Sequence, residues 1–244
     1  MKVITLNTWG GRAGDGIIEF FKKYSDTDVF LLQEMFHNAG EKTVWHDGEK
    51  GDLFDETIQA LPDHDGYFAP AESDGWGLAI FVKKSLEINE VGDIFVFRHK
   101  DAMIGKDGTT LGKNMQYLKT LNNGQELNLL NLHGLWTGKG KTDTEERVSQ
   151  SRRIIEFVKT LEGKIILAGD FNLLPDTESL KMIEKELNLK NLVKENNVES
   201  TRTSFYKKPD KHADYILVSS DIKVKNFQVL PEEISDHSAL MLEF

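Results

Sequence analysis

Short apolar runs that end abruptly in a polar side chain set the rhythm of this chain. Val3 to Leu6 predicts a strand with Asn7 at its exit. A turn rich in glycine (Gly10, Gly11, Gly14, Gly16) follows, and Ile17, Ile18, Phe21 and Tyr24 then recur at helical spacing. Asp28-Val29-Phe30-Leu31-Leu32 predicts a buried strand that exits at Gln33-Glu34. Residues 36–76 read mostly as loop, with a short helix near Leu53–Leu61. Strands are predicted over Gly77–Lys83, Phe95–Phe97, Met115–Leu121 and Leu127–Leu132, the last exiting at His133, and residues 98–113 read as a surface loop. Thr142-Asp143-Thr144-Glu145 fits a capping box opening a helix with Val148, Ile154, Ile155, Val158 and Leu161 on its apolar side.

The run Lys164–Ala168 then leads into Gly169-Asp170-Phe171-Asn172, where a carboxylate and a carboxamide leave one strand together. A helix around Ser179–Leu187 and strands over Tyr215–Val218, Val224–Val229 and Ala239–Phe244 complete the pattern. Asp214 enters the first of these strands, and Asp236-His237 precede the last. One arrangement occurs twice: strand–Asn7–helix–strand–Glu34, and strand–His133–helix–strand–Asp170. This echo suggests two related sheets facing one another.

Composition narrows the chemistry. A chain of 244 residues without low-complexity tracts fits one α/β domain over 1–244. It has no cysteine, so thiolate chemistry and disulfides are excluded, and any metal must sit on oxygen or imidazole ligands. Hard cations such as Mg²⁺ or Mn²⁺ suit that set. The net charge of −10 argues against coating nucleic acid by bulk electrostatics, though not against an enzyme that meets phosphates through bound cations. No apolar run is long enough for a membrane span, and the first residues lack a signal peptide's apolar region, which points to a cytoplasmic location.

Asn7, Glu34, His133, Asp170, Asn172, Asp214, Asp236 and His237 all flank predicted strands, where open sheets place their sites. Acid, amide and imidazole without a nucleophilic serine or cysteine setting suit metal-assisted hydrolysis of a phosphoester. An aspartate bonded to a histidine is expected to raise the imidazole pKa and fix its tautomer. Each residue alone has a plain reading: Asn7 as a turn cap, Glu34 as a solvated acid, Asp170 with Asn172 as an Asx turn, Asp214 as a partner of His212. His37, His46, His64 and His99 match no ligand spacing and read as surface residues. Trp9, Trp45, Trp76 and Trp136 could stack on a base or sugar, and Trp136 is the best placed for substrate. Arg202, Lys207, Lys208, Lys211 and His212 form a basic loop before Asp214, and Lys139 and Lys141 follow His133.

Six segments in order carry a resemblance: Leu6-Asn7-Thr8-Trp9, Leu32-Gln33-Glu34, Asn131-Leu132-His133, Gly169-Asp170-Phe171-Asn172, Asp214-Tyr215-Ile216 and Ser235-Asp236-His237. Together they resemble the endonuclease/exonuclease/phosphatase superfamily, which includes deoxyribonuclease I, abasic-site endonucleases, neutral sphingomyelinases and inositol-polyphosphate 5-phosphatases. The resemblance implies a four-layer α/β sandwich of two mixed sheets packed face to face, with helices outside. It implies Glu34 as the principal Mg²⁺ ligand, supported by Asn7 and Asp236, with Mn²⁺ as a possible substitute. Asp170 would orient or activate the water and Asn172 would hold Asp170. His237, oriented by Asp214, would contact the scissile phosphate, and His133 would bind phosphate or protonate the leaving oxygen. Trp76, Asn114, Trp136, Lys207 and Lys208 are the candidate substrate-binding residues. Asn114 stands where many members carry arginine, so a fixed positive charge is expected to be missing there. His133 stands where abasic-site endonucleases usually carry tyrosine. The implied substrate is a phosphodiester, in nucleic acid or a small nucleotide- or lipid-like molecule. The alternatives are a phosphomonoester of a sugar or inositol, or a member that only binds a phosphorylated partner.

Overall fold

The computed structural model describes residues 1–39, 48–73, 75–101, 112–138 and 140–244. Trp45, His46, Lys139 and most of the loop expected over 98–113 lie outside the described residues. In chain order the elements are β1 (Lys2–Asn7), α1 (Gly16–Lys23), β2 (Val29–Phe36), α2 (Leu53–Ala60), β3 (His64–Pro70), β4 (Trp76–Lys83), β5 (Ile88–Phe97) and β6 (Lys113–Asn122). There follow β7 (Gln125–His133), α3 (Glu145–Val158), β8 (Lys164–Asp170), α4 (Glu178–Glu186), β9 (Leu189–Asn191), α5 (Leu192–Glu195), β10 (Asp214–Ser219), β11 (Asn226–Val229) and β12 (Leu240–Glu243).

The strands form two six-stranded sheets, ordered β11-β12-β1-β2-β4-β3 and β5-β6-β7-β8-β10-β9. Each sheet is mixed. β1 runs parallel to β2 and β7 parallel to β8, each pair joined through a helix, while their other neighbours are antiparallel. Alternation along β1 and β2 sorts the side chains between two cores. Val3, Val29 and Leu31 join Leu129, Ile166 and Ile216 of the other sheet, whereas Ile4, Leu6, Phe30 and Leu32 pack with Ile17, Phe20 and Phe21 of α1. Residues on both faces of these central strands are therefore buried, which is why their sequences read as unbroken apolar runs. Each such side chain contributes about 2 kcal/mol of transfer free energy. The result is the expected four-layer α/β sandwich.

Polar groups lock the two sheets just beneath the strand exits. Gln33 Nε2 of the first sheet donates to Asn131 Oδ1 of the second at 2.7 Å. Asn131 Nδ2 donates back to the carbonyls of Leu32 and Ala79, at 2.9 and 3.1 Å. All of these groups are buried, so the bonds fix the height at which one sheet meets the other.

Four local expectations need correction. The loop expected over 36–76 contains β3, an edge strand whose Asp65, Gly66 and Pro70 disguise it. The α3 cap is Thr144, whose side chain accepts from the Arg147 amide, and not Thr142. The buried side of α3 is built on Arg147, Gln150, Ser151, Ile154, Ile155 and Val158, with Val148 only half-buried. His64 is buried, not on the surface: its Nε2 lies 2.7 Å from the Thr27 carbonyl.

Candidate active site

Register brings the polar exits of the second sheet together. His133 pairs with Asp170 across the parallel β7–β8 ladder, and Asp214 pairs with Asp170 across the antiparallel β10–β8 ladder. Three candidate site residues thus stand side by side at one level. Gly169 permits the turn that follows. Its φ is 139°, and a Cβ there would lie 2.0 Å from the Leu132 carbonyl oxygen. Asn172, at φ 53°, donates its backbone N–H to Asp170 Oδ1 at 2.8 Å. The Asx turn is real, and it is also how the site aims Asp170.

The first sheet delivers its acid differently. Asn7 pairs with Gln33, and the register of β2 against β4 shifts between Leu32 and Met35. Glu34 sits in that irregularity at φ 55°, a left-handed conformation uncommon for glutamate. The distortion turns its carboxylate toward the second sheet, where Asn7 joins the two halves. Asn7 Nδ2 donates to Glu34 Oε1 and to Asp170 Oδ2, each at 3.0 Å. Asn7 Oδ1 accepts from the Trp9 amide at 3.0 Å, so the amide nitrogen, rather than the oxygen, faces the carboxylates.

Asp170 Oδ2 is the centre of the arrangement. Besides the Asn7 bond, it accepts from Asn172 Nδ2 at 3.2 Å. His237 Nε2 lies 3.7 Å away and His133 Nε2 lies 3.8 Å away. His133 Nε2 is also 3.7 Å from Glu34 Oε1. Behind His237, its Nδ1 meets Asp214 Oδ1 at 2.8 Å, and Thr201 Oγ1 donates to Asp214 Oδ2 at 2.9 Å. Asp236 accepts from Arg202 Nη1 at 3.2 Å, and its Oδ1 is 3.8 Å from His237 Nε2. The eight polar residues therefore converge on one place. Asp214 partners His237 rather than His212, whose Nε2 meets the Val198 carbonyl at 2.9 Å.

Residues 4–237 match the model of the Endonuclease/Exonuclease/phosphatase family. The chain belongs to this family. Its members are hydrolases that act on phosphoesters. Solved structures agree on the fold. An endonuclease/exonuclease/phosphatase from Bacteroides vulgatus is 21% identical, with a TM-score of 0.76 over 99% of this chain and 97% of that one. A mannosyl-6-phosphatase from Bacteroides thetaiotaomicron is 22% identical, with a TM-score of 0.77 over 100% and 98%. D. rerio TDP2 complexed with a single-strand DNA product is 17% identical, with a TM-score of 0.69 over 99% and 97%. At these identities the likeness establishes the fold alone. A search of curated proteins finds no match.

Within this family member the electrostatics are set by burial. Burial, with the nearby Asp236 and Asp170 carboxylates, pushes Glu34 up to about 7 against the Asn7 hydrogen bond. Burial likewise raises Asp214 to about 6. The expected elevation of His237 is not what the structure shows: burial, helped by the Arg202 charge, pushes it down to about 4 despite Asp170 and Asp236. Burial, with the charge of Lys113, holds His133 well below the ordinary imidazole value. Both imidazoles are neutral at pH 7, so the positive charges here are Arg202, Lys141 and Lys113, the last pushed down by burial to about 8.

Lys113 is the residue that sequence reasoning missed. The sequence places it at the end of a surface loop, yet it is only 5% exposed and its Nζ lies 4.4 Å from the centre of the Trp76 ring. The Trp76 ring is in turn 5.3 Å from that of His133. Asn114, the neighbouring candidate, donates instead to the Ala69 carbonyl at 3.2 Å and to Asp93 Oδ2 at 3.1 Å, away from the acids. Arg147 was also missed. Fully buried on α3, it donates to the carbonyls of Leu135, Thr142 and Gly140 and so anchors the loop that follows His133. The remaining candidates lie on the rim. Trp136 is 45% exposed with Lys208 Nζ 5.5 Å from its ring centre, and the Lys207 ammonium donates to the Ser204 carbonyl at 2.6 Å.

The donor set fits a hard cation. Three carboxylates crowd together, burial and the neighbouring Asp236 and Asp170 charges both raise Glu34, and Asp236 Oδ1 is buried without a hydrogen-bond partner among the described residues. Among the described residues Asp170, Asp214 and His237 also place possible ligand atoms within 4.8 Å of one another. Asp214 is the poorest of these as a ligand, since His237 and Thr201 occupy both of its oxygens. No helix among the described residues is long and apolar enough to cross a membrane.

Proposed function

We propose that this protein is a metal-dependent phosphoesterase in which water attacks phosphorus directly, carried by one domain over 1–244. The observation that carries the reading is the surrounding of Asp170 Oδ2 by Asn7, Asn172, His133 and His237, with the Glu34 carboxylate bridged to it through Asn7. Glu34 and Asp236, with Asp170 beside them, would hold Mg²⁺ or Mn²⁺. When bound, the cation supplies charge neutralisation at the phosphoryl oxygens and acidifies water. Asn7 steadies the acids rather than offering an oxygen.

Asp170 orients the attacking water and takes its proton, since Oδ2 faces the space between the two imidazoles. His237 presents Nε2 to that space, with its Nδ1–H donated to Asp214, so its tautomer leaves a lone pair free. His133 is neutral and serves as a hydrogen-bonding group for a phosphoryl or leaving oxygen rather than as a ready acid. Arg202 holds Asp236 in place. Trp136, Lys207 and Lys208 on the rim would contact the group beyond the phosphorus, with Trp76 lining the interior.

A phosphodiester, in nucleic acid or a small nucleotide- or lipid-like molecule, is the substrate class favoured by the motifs. A phosphomonoester is the second reading, and the buried Lys113 ammonium favours it. Turnover of 4-nitrophenyl phosphate and bis(4-nitrophenyl) phosphate tests the reaction. A panel of plasmid DNA, abasic DNA, RNA, sphingomyelin and inositol phosphates, with Mg²⁺ or Mn²⁺, then finds the substrate. Activity abolished by EDTA and restored by Mg²⁺ is expected. Calorimetric affinity for a phosphorylated ligand without turnover under any metal would instead establish a binding protein.

A further inference from the structure

Lys113 poses a physical problem. Its residue is 5% exposed, and among the described residues its ammonium has no hydrogen-bond acceptor. The contact it does make, with the Trp76 face at 4.4 Å, compensates only part of the lost hydration. The charges that act on it are those of Glu34, Asp170 and Glu72, so it stands at the edge of the acidic centre without being paired into it. Its placement is built. β6 pairs with β5 through an irregular register between Phe95 and Phe97, which brings Lys113 opposite Phe97 while Asn114 is held by Ala69 and Asp93. A structural lysine would be expected to finish in an ion pair, as Arg202 does with Asp236. This one is held by an aromatic face and keeps its three donors.

From this geometry we infer that Lys113 is a specificity-determining residue, whose ammonium receives a non-bridging oxygen of a terminal phosphate and so directs the site toward phosphomonoesters. The inference rests on the phosphoesterase reading and narrows its substrate class. A monoester carries close to two negative charges at pH 7 and three free oxygens, whereas a diester carries one charge and two free oxygens. The carboxylates can engage such oxygens only through a cation. Arg202 is committed to Asp236, and Lys141 Nζ donates to the His212 carbonyl at 3.3 Å. Lys113 is the cation near the acids that lacks a protein acceptor among the described residues. Trp76 links the two groups: its ring centre is 4.4 Å from the Lys113 ammonium and 5.3 Å from the centre of the His133 ring, so Lys113 stands on the His133 side of the acidic centre.

The test is a binding ratio, which needs no turnover. Inorganic phosphate and diethyl phosphate are titrated by calorimetry into the Mg²⁺-loaded wild type, Lys113→Met and Lys113→Arg. The wild type is expected to prefer phosphate, and Lys113→Met to lower the phosphate-to-diester affinity ratio by about tenfold or more, as loss of one charged hydrogen bond requires. Lys113→Arg is expected to retain most of the preference. An equal loss for both ligands in Lys113→Met would overturn the inference, leaving Lys113 as general counter-charge to the acids. Should Lys113→Met fail to fold, the wild type decides by NMR. The Lys113 side-chain resonance, assigned with Lys113→Arg, must respond to phosphate and not to diethyl phosphate, and equal responses would overturn the inference. Failure of the phosphoesterase reading appears separately, as no hydrolysis of either nitrophenyl ester by the wild type.

Discussion

The β1–α1–β2 and β7–α3–β8 units share one plan, a parallel strand pair joined by a helix with polar groups at the exits, yet they present their acids in opposite ways. In β7–α3–β8 the register is flush, His133 opposite Asp170, and the Asp170 side chain is only 2% exposed inside amide donors. In β1–α1–β2 the acid arrives on an irregular, left-handed residue, and the Glu34 side chain is 28% exposed. Only Asn7 hydrogen-bonds it among its described partners. One acid is held by several protein donors and the other by a single amide. The same motif thus produces a buried, amide-bonded carboxylate in one sheet, the one proposed to react, and a more exposed carboxylate in the other, the one proposed to hold the metal.

This division of labour can be broken experimentally. The largest effect is expected for Asp170→Asn, which should lower kcat by about a thousandfold with the fold intact by circular dichroism. His237→Ala should follow closely, by about a hundredfold or more. Glu34→Gln should instead raise the metal concentration needed for half-maximal activity by at least about tenfold. Identical metal titrations for Asp170→Asn and Glu34→Gln would erase the distinction between the two sheets.

Stability changes sharpen it further. Gly169→Ala places a Cβ against the Leu132 carbonyl at the flush exit and should cost about 3 kcal/mol, read from the urea midpoint. Asn131→Ala strands the Leu32 and Ala79 carbonyls between the sheets and should cost about 2–3 kcal/mol. A loss under 1 kcal/mol would mean the amide clamp does not hold the two units in register.

The smallest effect concerns His64 at the edge of the first sheet. Burial holds its imidazole below the ordinary value of 6.5, against the Thr27 carbonyl, so the unfolded chain binds a proton that the fold does not. Its contribution to stability is therefore complete above that value and fades as the pH falls through it. His64→Gln should flatten the dependence of the urea midpoint between pH 7.5 and pH 5.5. An unchanged slope would show that other groups govern the acid side.

Much of this was legible along the chain. β1, β2, β7 and β8 are plain because residues on both their faces are buried, and their exits at Asn7, Glu34, His133 and Asp170 carry the candidate site residues. β3 was not, because an edge strand tolerates Asp65, Gly66 and Pro70 and loses the apolar signature. β5 starts at Ile88, well before the expected Phe95, since Glu90 and Asp93 sit on a sheet edge open to water. Lys113 was hidden by its company: a lysine beside glycines reads as surface, and only packing reveals it against Trp76. A histidine next to an aspartate suggests a raised pKa, but burial of His237 outweighed its neighbours.

The identities of the candidate site residues, their order and the strand ends that carry them were determined by sequence alone, because apolar periodicity and polar termini are local properties. Which oxygen those groups surround, which carboxylate burial raises most, and which lysine is buried against an aromatic face without an acceptor among the described residues were decided only in the tertiary structure. They depend on the register between strands and on the meeting of two sheets. Desolvation also belongs to that meeting, since a residue's neighbours in sequence say little about how much water the opposite sheet removes.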